Sequence, residues 1–149
     1  MGFKLGKNKV RKTIEYKYFP KNKNELTDIL KERLLSDPNA DLNDIDVSKI
    51  KDMSFLFKNI DPHNIDISEW DVSNVEDMYS MFYMCKNFNC DLSNWDVSNV
   101  KDMNYMFFSC EKFKGKGLEN WNVSIVTYKR YVFYKCNSLK NEPSWYKEE

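Results

Sequence analysis

Apolar residues recur along this chain in one repeated pattern with polar residues between them. Leu42-x-x-Ile45-x-Val47 is followed by Ile67-x-x-Trp70-x-Val72, Leu92-x-x-Trp95-x-Val97 and Leu118-x-x-Trp121-x-Val123. This is the L-x-x-L-x-L signature of a leucine-rich-repeat strand, with Trp in the middle slot of three copies. Each copy gains a further apolar residue three positions on, at Ile50, Val75, Val100 and Val126. After it the period changes. Met78, Met81, Phe82 and Cys85 stand at i, i+3, i+4 and i+7, and so do Met53, Leu56, Phe57 and Ile60, and Met103, Met106, Phe107 and Cys110. That stripe predicts a short amphipathic helix. Asp52, Asp77 or Asp102 stands just before each stripe and Ser48, Ser73 or Ser98 four residues earlier; either residue type can cap a helix N-terminus.

The same register runs through the polar positions. "DVSKIKDMSFLF" from Asp46, "DVSNVEDMYSMF" from Asp71, "DVSNVKDMNYMF" from Asp96 and "NVSIVTYKRYVF" from Asn122 align at steps of 25, 25 and 26 residues. The additional residue falls in "KFKGKGLENW", where Gly115 and Gly117 mark a loop. One such unit cannot cover its own apolar edge, but stacked units share a core and need closed ends. At the front, "TIEYKYF" alternates like an edge strand and "KNELTDILKERLL" reads as a helix stopped before Pro38. At the back the repeat decays, with Tyr128 and Lys129 in the Asp and Met slots. The expected fold is α/β: a short right-handed leucine-rich-repeat solenoid, with parallel short strands on the concave face and short helices on the convex face. Residues 1–38 would form a basic arm and a strand-plus-helix cap, and residues 39–149 about four repeats with a degenerate C-terminal cap.

The phrase W-D-V-S-N-V-x-D-M-x-x-M-F-x-x-C, over about residues 41–136, resembles the repeat of BspA-like leucine-rich repeat proteins. The segment "YKYFPKNKNELTDILKERL" is similar to the capping segment before these repeats. The resemblance implies a curved solenoid that binds other macromolecules, sometimes as a bacterial surface adhesin, and implies no catalysis.

Composition narrows the chemistry. Aromatic residues are 15% of the chain and charged residues 31%, with formal net charge zero. Residues 1–24 hold eight basic residues and one acid, so the rest carries 15 basic against 22 acidic residues, a net of −7. The basic arm would allow only non-specific phosphate attraction, so a nucleic-acid partner is the minor reading for it. No apolar run approaches the roughly 20 residues of a membrane span, and no apolar stretch follows the basic N-terminus as a signal peptide would require. The expected location is therefore cytoplasmic, or the surface or outside if a leader precedes Met1. Cys85, Cys110 and Cys136 share a slot with Ile60, and Cys90 aligns with Ile65, which reads as free packing thiols. Their spacing matches no zinc motif. The one histidine, His63, falls in a slot held by Phe88 and Phe113, so no Ser-His-Asp or Cys-His site is expected. With no phosphate-cradling glycine loop either, the chain reads as non-enzymatic, without cofactor or metal.

Two surfaces remain as candidates for partner binding. The residues flanking the strand apolar positions include Asp44, Asp46, Glu69, Asp71 and Asp96, and stacking puts Asp46, Asp71 and Asp96 in one column. Those carboxylates would either bond the turns that follow them, form an acidic face for a partner with a basic surface, or hold a cation. The other surface is an aromatic flank. Phe55, Tyr105 and Tyr131 share one slot, interrupted by Ser80; Tyr83, Phe108 and Tyr134 share another, with Lys58 in the first repeat. Tyr83, Tyr105 and Phe108 are the expected anchors, if exposed. The resulting expectation is a protein–protein interaction module, in one version an inhibitor that imitates nucleic acid with its acidic face. The alternative is a surface adhesin of the BspA-like type.

Overall fold

The computed structural model describes residues 13–148. Its single α-helix, α1 (Lys23–Ser36), lies where the front cap is expected. Asn22 starts it by accepting the Glu25 backbone N–H at 2.9 Å, while the Glu25 carboxylate accepts the Lys21 N–H at 2.7 Å. The first bond satisfies a donor that the opening helical turn leaves orphaned, and the second ties the entering chain to that turn. Helix α1 buries Leu26, Leu30 and Leu34 and ends at Asp37, the residue before Pro38. Arg33 ties it to the first coil by donating to both Asp44 carboxylate oxygens at 2.9 and 3.2 Å. Of the expected edge strand at 13–19, one parallel bridge, Tyr18 to Ile45, is present.

The rest is a stack of irregular coils, and here the leucine-rich-repeat expectation is overturned. Among the described residues there is no strand longer than an isolated bridge, and no helix after α1 except a three-residue 3-10 turn, Leu118–Asn120. The L-x-x-L segments are β-turns, not strands: Ile45, Trp70, Trp95 and Trp121 donate their N–H to Leu42, Ile67, Leu92 and Leu118, three residues back. The stripes expected as helices are turns in tandem. Leu56 donates to Met53 at 3.2 Å and Ile60 to Phe57 at 3.2 Å, closing two consecutive four-residue turns. The third residue of each has positive φ (Phe55 57°, Asn59 66°), as a type II turn requires. Ser80 and Met84, Tyr105 and Ser109, and Tyr131 and Lys135 repeat this pair.

The physical reason is where the backbone N–H groups go. In a helix they would bond four residues back. Here Met53, Phe55 and Phe57 donate instead to the Asp77, Tyr79 and Met81 carbonyls of the next coil, at 2.9, 2.9 and 3.0 Å. The register of the repeat survives intact in these bonds, because Asp52, Asp77, Asp102 and Tyr128 bridge successively in parallel.

Inside the stack, equivalent residues lie on one another. Phe57, Phe82, Phe107 and Phe133 form a column of near-parallel rings with centroids 5.1, 5.4 and 5.8 Å apart. Trp95, Trp121 and Trp145 form another, at 6.4 and 6.2 Å. Each indole N–H needs a partner when buried. Trp70, Trp95, Trp121 and Trp145 find it on the previous coil, donating to the Leu42, Ile67, Leu92 and Leu118 carbonyls at 2.7–3.2 Å.

The four cysteines are free and buried. Cys110 and Cys136 donate their S–H to the Phe82 and Phe107 carbonyls at 3.0 and 2.9 Å. Burial pushes the Cys85 and Cys136 thiols up to about 12 and Cys90 to about 11. An unfolded thiol ionises near 8.5. Above that pH the unfolded chain loses protons that the folded chain keeps, so the thiol contribution to stability is complete below about pH 8.5 and declines as pH rises towards 11–12. At pH 8 the native chain should react with a thiol reagent far more slowly than the same chain in urea, where all four cysteines should titrate at once. One fast-reacting native thiol would contradict the packing.

Candidate interaction surface

The two candidate surfaces meet different fates. Asp46, Asp71 and Asp96 each turn a carboxylate oxygen back on their own chain, accepting the N–H of Ser48, Ser73 and Ser98 at 3.0, 3.1 and 3.0 Å. The Ser73 and Ser98 hydroxyls donate to the same oxygens at 2.6 Å. This is an Asx turn, a short side-chain mimic of a backbone turn. In the fourth coil the uncharged Asn122 makes the same bond to Ser124, at 3.1 Å, so the position needs an acceptor oxygen and not a charge. Asp44 is engaged by Arg33, and Glu69 accepts from Asn94 at 3.0 Å. Tyr16 lies among the acids. Its hydroxyl is pushed up by burial and then by Asp46, Asp71 and Glu69.

A second column of carboxylates runs along the bridges at Asp52, Asp77 and Asp102. Burial, and then the charge of Asp77, raise Asp102. Burial also acts upward on Asp52, but hydrogen bonds from Ser54 and Lys23 outweigh it and hold Asp52 below its usual value. The Lys23 ammonium caps this end of the column, donating to Asp52 at 2.9 Å and to the Ser54 hydroxyl at 2.9 Å. Among the described residues no three His, Cys, Asp or Glu side chains converge as a metal site. The basic-arm reading falls largely on residues 1–12, outside the described residues, and no described helix is long and apolar enough to cross a membrane.

The aromatic flank is where the expected anchors come together. Tyr83 stacks on Phe108 at 4.9 Å and 13°, Phe108 lies 5.7 Å from Tyr105, and Tyr83 meets Tyr105 edge-on at 6.5 Å. These three belong to a longer ribbon. One ladder runs Phe55, Tyr79, Tyr105, Tyr131 with centroids 5.1, 5.9 and 5.5 Å apart. The other runs Tyr83, Phe108, Tyr134, with the second pair again 4.9 Å apart. Tyr79 is the residue that reasoning by slot misses. Ser80 is buried and leaves a gap in its column, and the ring one position earlier swings into it. Two ring-bearing residues in adjacent slots were the available signal.

The ribbon is accessible. Phe55, Tyr131 and Tyr134 are 42%, 44% and 44% exposed, and Tyr79, Tyr83, Tyr105 and Phe108 are half-buried. Cations sit at both ends, with the Lys58 ammonium 4.9 Å from the Phe55 centroid and that of Lys135 5.6 Å from Tyr134. Phe55, Tyr105 and Tyr131 stand at the left-handed third position of their turns, where Ser80 is the buried exception.

Among known proteins, the sequence family described as "Mycoplasma protein of unknown function, DUF285" matches residues 25–146. No curated protein and no solved structure matches the chain.

Proposed function

This chain belongs to the DUF285 family, and we propose that it is a non-catalytic interaction module whose aromatic ribbon docks a protein partner. The observation that carries this reading is the half-exposed double ladder of rings from Phe55 to Tyr134. Contiguous exposed rings mark interaction sites, and Tyr is among the residues that dominate binding energy. Rings already stacked on one another have little rotamer freedom left to lose, so docking onto them costs less entropy. The acidic column is the weaker candidate, because its carboxylates serve their own turns as Asn122 does without charge.

The test is capture from a lysate of the source cell, with the bound protein identified by mass spectrometry. Three baits would be compared: the wild-type chain, Phe55→Ser/Tyr79→Ser/Tyr83→Ser, and Asp46→Asn/Asp71→Asn/Asp96→Asn. The Asn triple keeps the turn acceptors, so each substitution should cost less than about 1 kcal/mol of stability. One partner should be held by the wild type and the Asn triple, and lost with the ring triple while its fold, followed by circular dichroism, persists. Retention by the ring triple together with loss by the Asn triple would transfer the function to the acidic face.

A further inference from the structure

The inter-coil ladder stops at the last coil with its donors open. Met78, Ser80, Phe82 and Met84 donate to Asp102, Asn104, Met106 and Phe108 at 2.8–2.9 Å. Met103, Tyr105, Phe107 and Ser109 donate to Tyr128, Arg130, Val132 and Tyr134 at 2.7–3.0 Å. The next set in this register is Lys129, Tyr131, Phe133 and Lys135, and none of these N–H groups has a backbone acceptor among the described residues. Phe133 is covered from the C-terminal side, with Tyr146 5.0 Å and Trp145 6.0 Å from its ring. That cover closes the core. Tyr131 and Lys135 remain exposed and Lys129 half-buried.

The edge also changes charge. Where the third coil has Met103, Asn104 and Ser109, the last has Lys129, Arg130 and Lys135, and residues 127–136 contain no acid. Tyr128, on the same edge, is 55% exposed. An open row of main-chain donors is a template for an added strand. Here the template is cationic. At the far end of the stack, where a second copy would have to offer its carbonyls, Lys23 already engages the Ser54 carbonyl at 3.3 Å and the Asp52 carboxylate at 2.9 Å.

We propose that the edge at residues 129–135 accepts an acidic segment of a partner protein, folded into the same pair of consecutive turns, as one further parallel rung of the ladder. The partner's carbonyls take the open N–H groups, and its carboxylates face Lys129, Arg130 and Lys135. The inference rests on the interaction-module reading and names the partner's chemistry at the end of the same ribbon. Basic residues among rings also suit single-stranded nucleic acid, but stacking bases on rings leaves the open row of N–H groups unused. Tyr134 has Phe108 on one side at 4.9 Å and the Lys135 ammonium 5.6 Å from its centroid.

The probe is a ten-residue peptide with the sequence of Glu76–Cys85, its cysteine replaced by serine. In the intact chain this segment carries Glu76 and Asp77 and accepts from Met53, Phe55 and Phe57, the counterparts of Lys129, Tyr131 and Phe133. Added to the isotope-labelled full chain, it should slow amide exchange at Lys129, Tyr131 and Lys135 by about tenfold or more. Lys129→Glu/Lys135→Glu should abolish the effect, whereas Phe55→Ser/Tyr79→Ser/Tyr83→Ser should bind the peptide as the wild type does. Unchanged exchange at these amides with saturating peptide would overturn the proposal. So would equal protection by a single-stranded oligonucleotide, or protection that rises with protein concentration alone, which would mean a second copy. If the peptide fails while the ring triple still loses its captured partner, the edge inference falls and the interaction module stands.

Discussion

Phe107→Ala is expected to cost about 3–5 kcal/mol, the range for removing a fully buried ring and leaving a cavity. Phe107 is 0% exposed and has ring neighbours on every side: Phe113 at 4.3 Å, Phe82 at 5.4 Å, Phe133 at 5.8 Å and Trp121 at 6.3 Å. Domains of this size have roughly 5–15 kcal/mol in total, so the variant should lose between about a fifth and all of its stability. Its position sharpens the effect. Each coil contacts chiefly its neighbours, so a defect in the third coil separates the α1-capped half from the Trp145 half. Urea unfolding followed by tryptophan fluorescence measures it, and Phe107→Leu should recover a large part of the loss. A cost below about 1 kcal/mol would mean that the phenyl column does not hold the stack together.

Gly117→Ala is expected to cost about 3 kcal/mol, from left-handed strain of about 1–2 kcal/mol plus forced backbone displacement. Gly117 has φ 89° and precedes the 3-10 turn Leu118–Asn120. A Cβ there would collide with the Ser93 backbone N and Cα of the coil before, atoms that cannot move aside alone. Gly115 provides the comparison. Its φ is 73°, but the Cβ would meet the end of the Leu139 side chain, which can rotate away. Gly115→Ala should therefore cost only the conformational strain, about 1–2 kcal/mol. In thermal melts the Gly117 variant should fall by about 10 °C and the Gly115 variant by roughly half of that. Equal shifts would mean that the close approach of Gly117 to Ser93 is not what matters.

Gly117 also shows what the repeat pattern left out. The 26-residue step was legible as an insertion in "KFKGKGLENW". That one glycine is required there, by contact with the preceding coil, is a property of the stack. The same division holds at the rings. Phe55, Tyr105, Tyr131 and Tyr83, Phe108, Tyr134 were legible as two aromatic slots, whereas the place of Tyr79 in the first ladder depended on the space above Ser80. For Asp46, Asp71 and Asp96 the sequence left open a turn acceptor, an acidic face and a cation site. The bonds to Ser48, Ser73 and Ser98 give the carboxylates a structural task, for which Asn122 in the aligned slot was the available hint.

The error in fold class has one source. Spacing at i, i+3, i+4 and i+7 puts side chains on one side of a helix, and two consecutive four-residue turns do the same at Met53, Leu56, Phe57 and Ile60. Glycine would have betrayed the turns, but the left-handed positions hold Phe55, Ser80, Tyr105 and Tyr131. Sequence by itself determined the register of 25, 25 and 26 residues, which apolar residues face inward, and the helix that closes the front. Only the tertiary structure decided what each coil is made of. Side-chain spacing records which residues are buried together, whereas helix, strand and turn differ in where the backbone N–H groups find acceptors. In this chain those acceptors lie on the next coil, about 25 residues away.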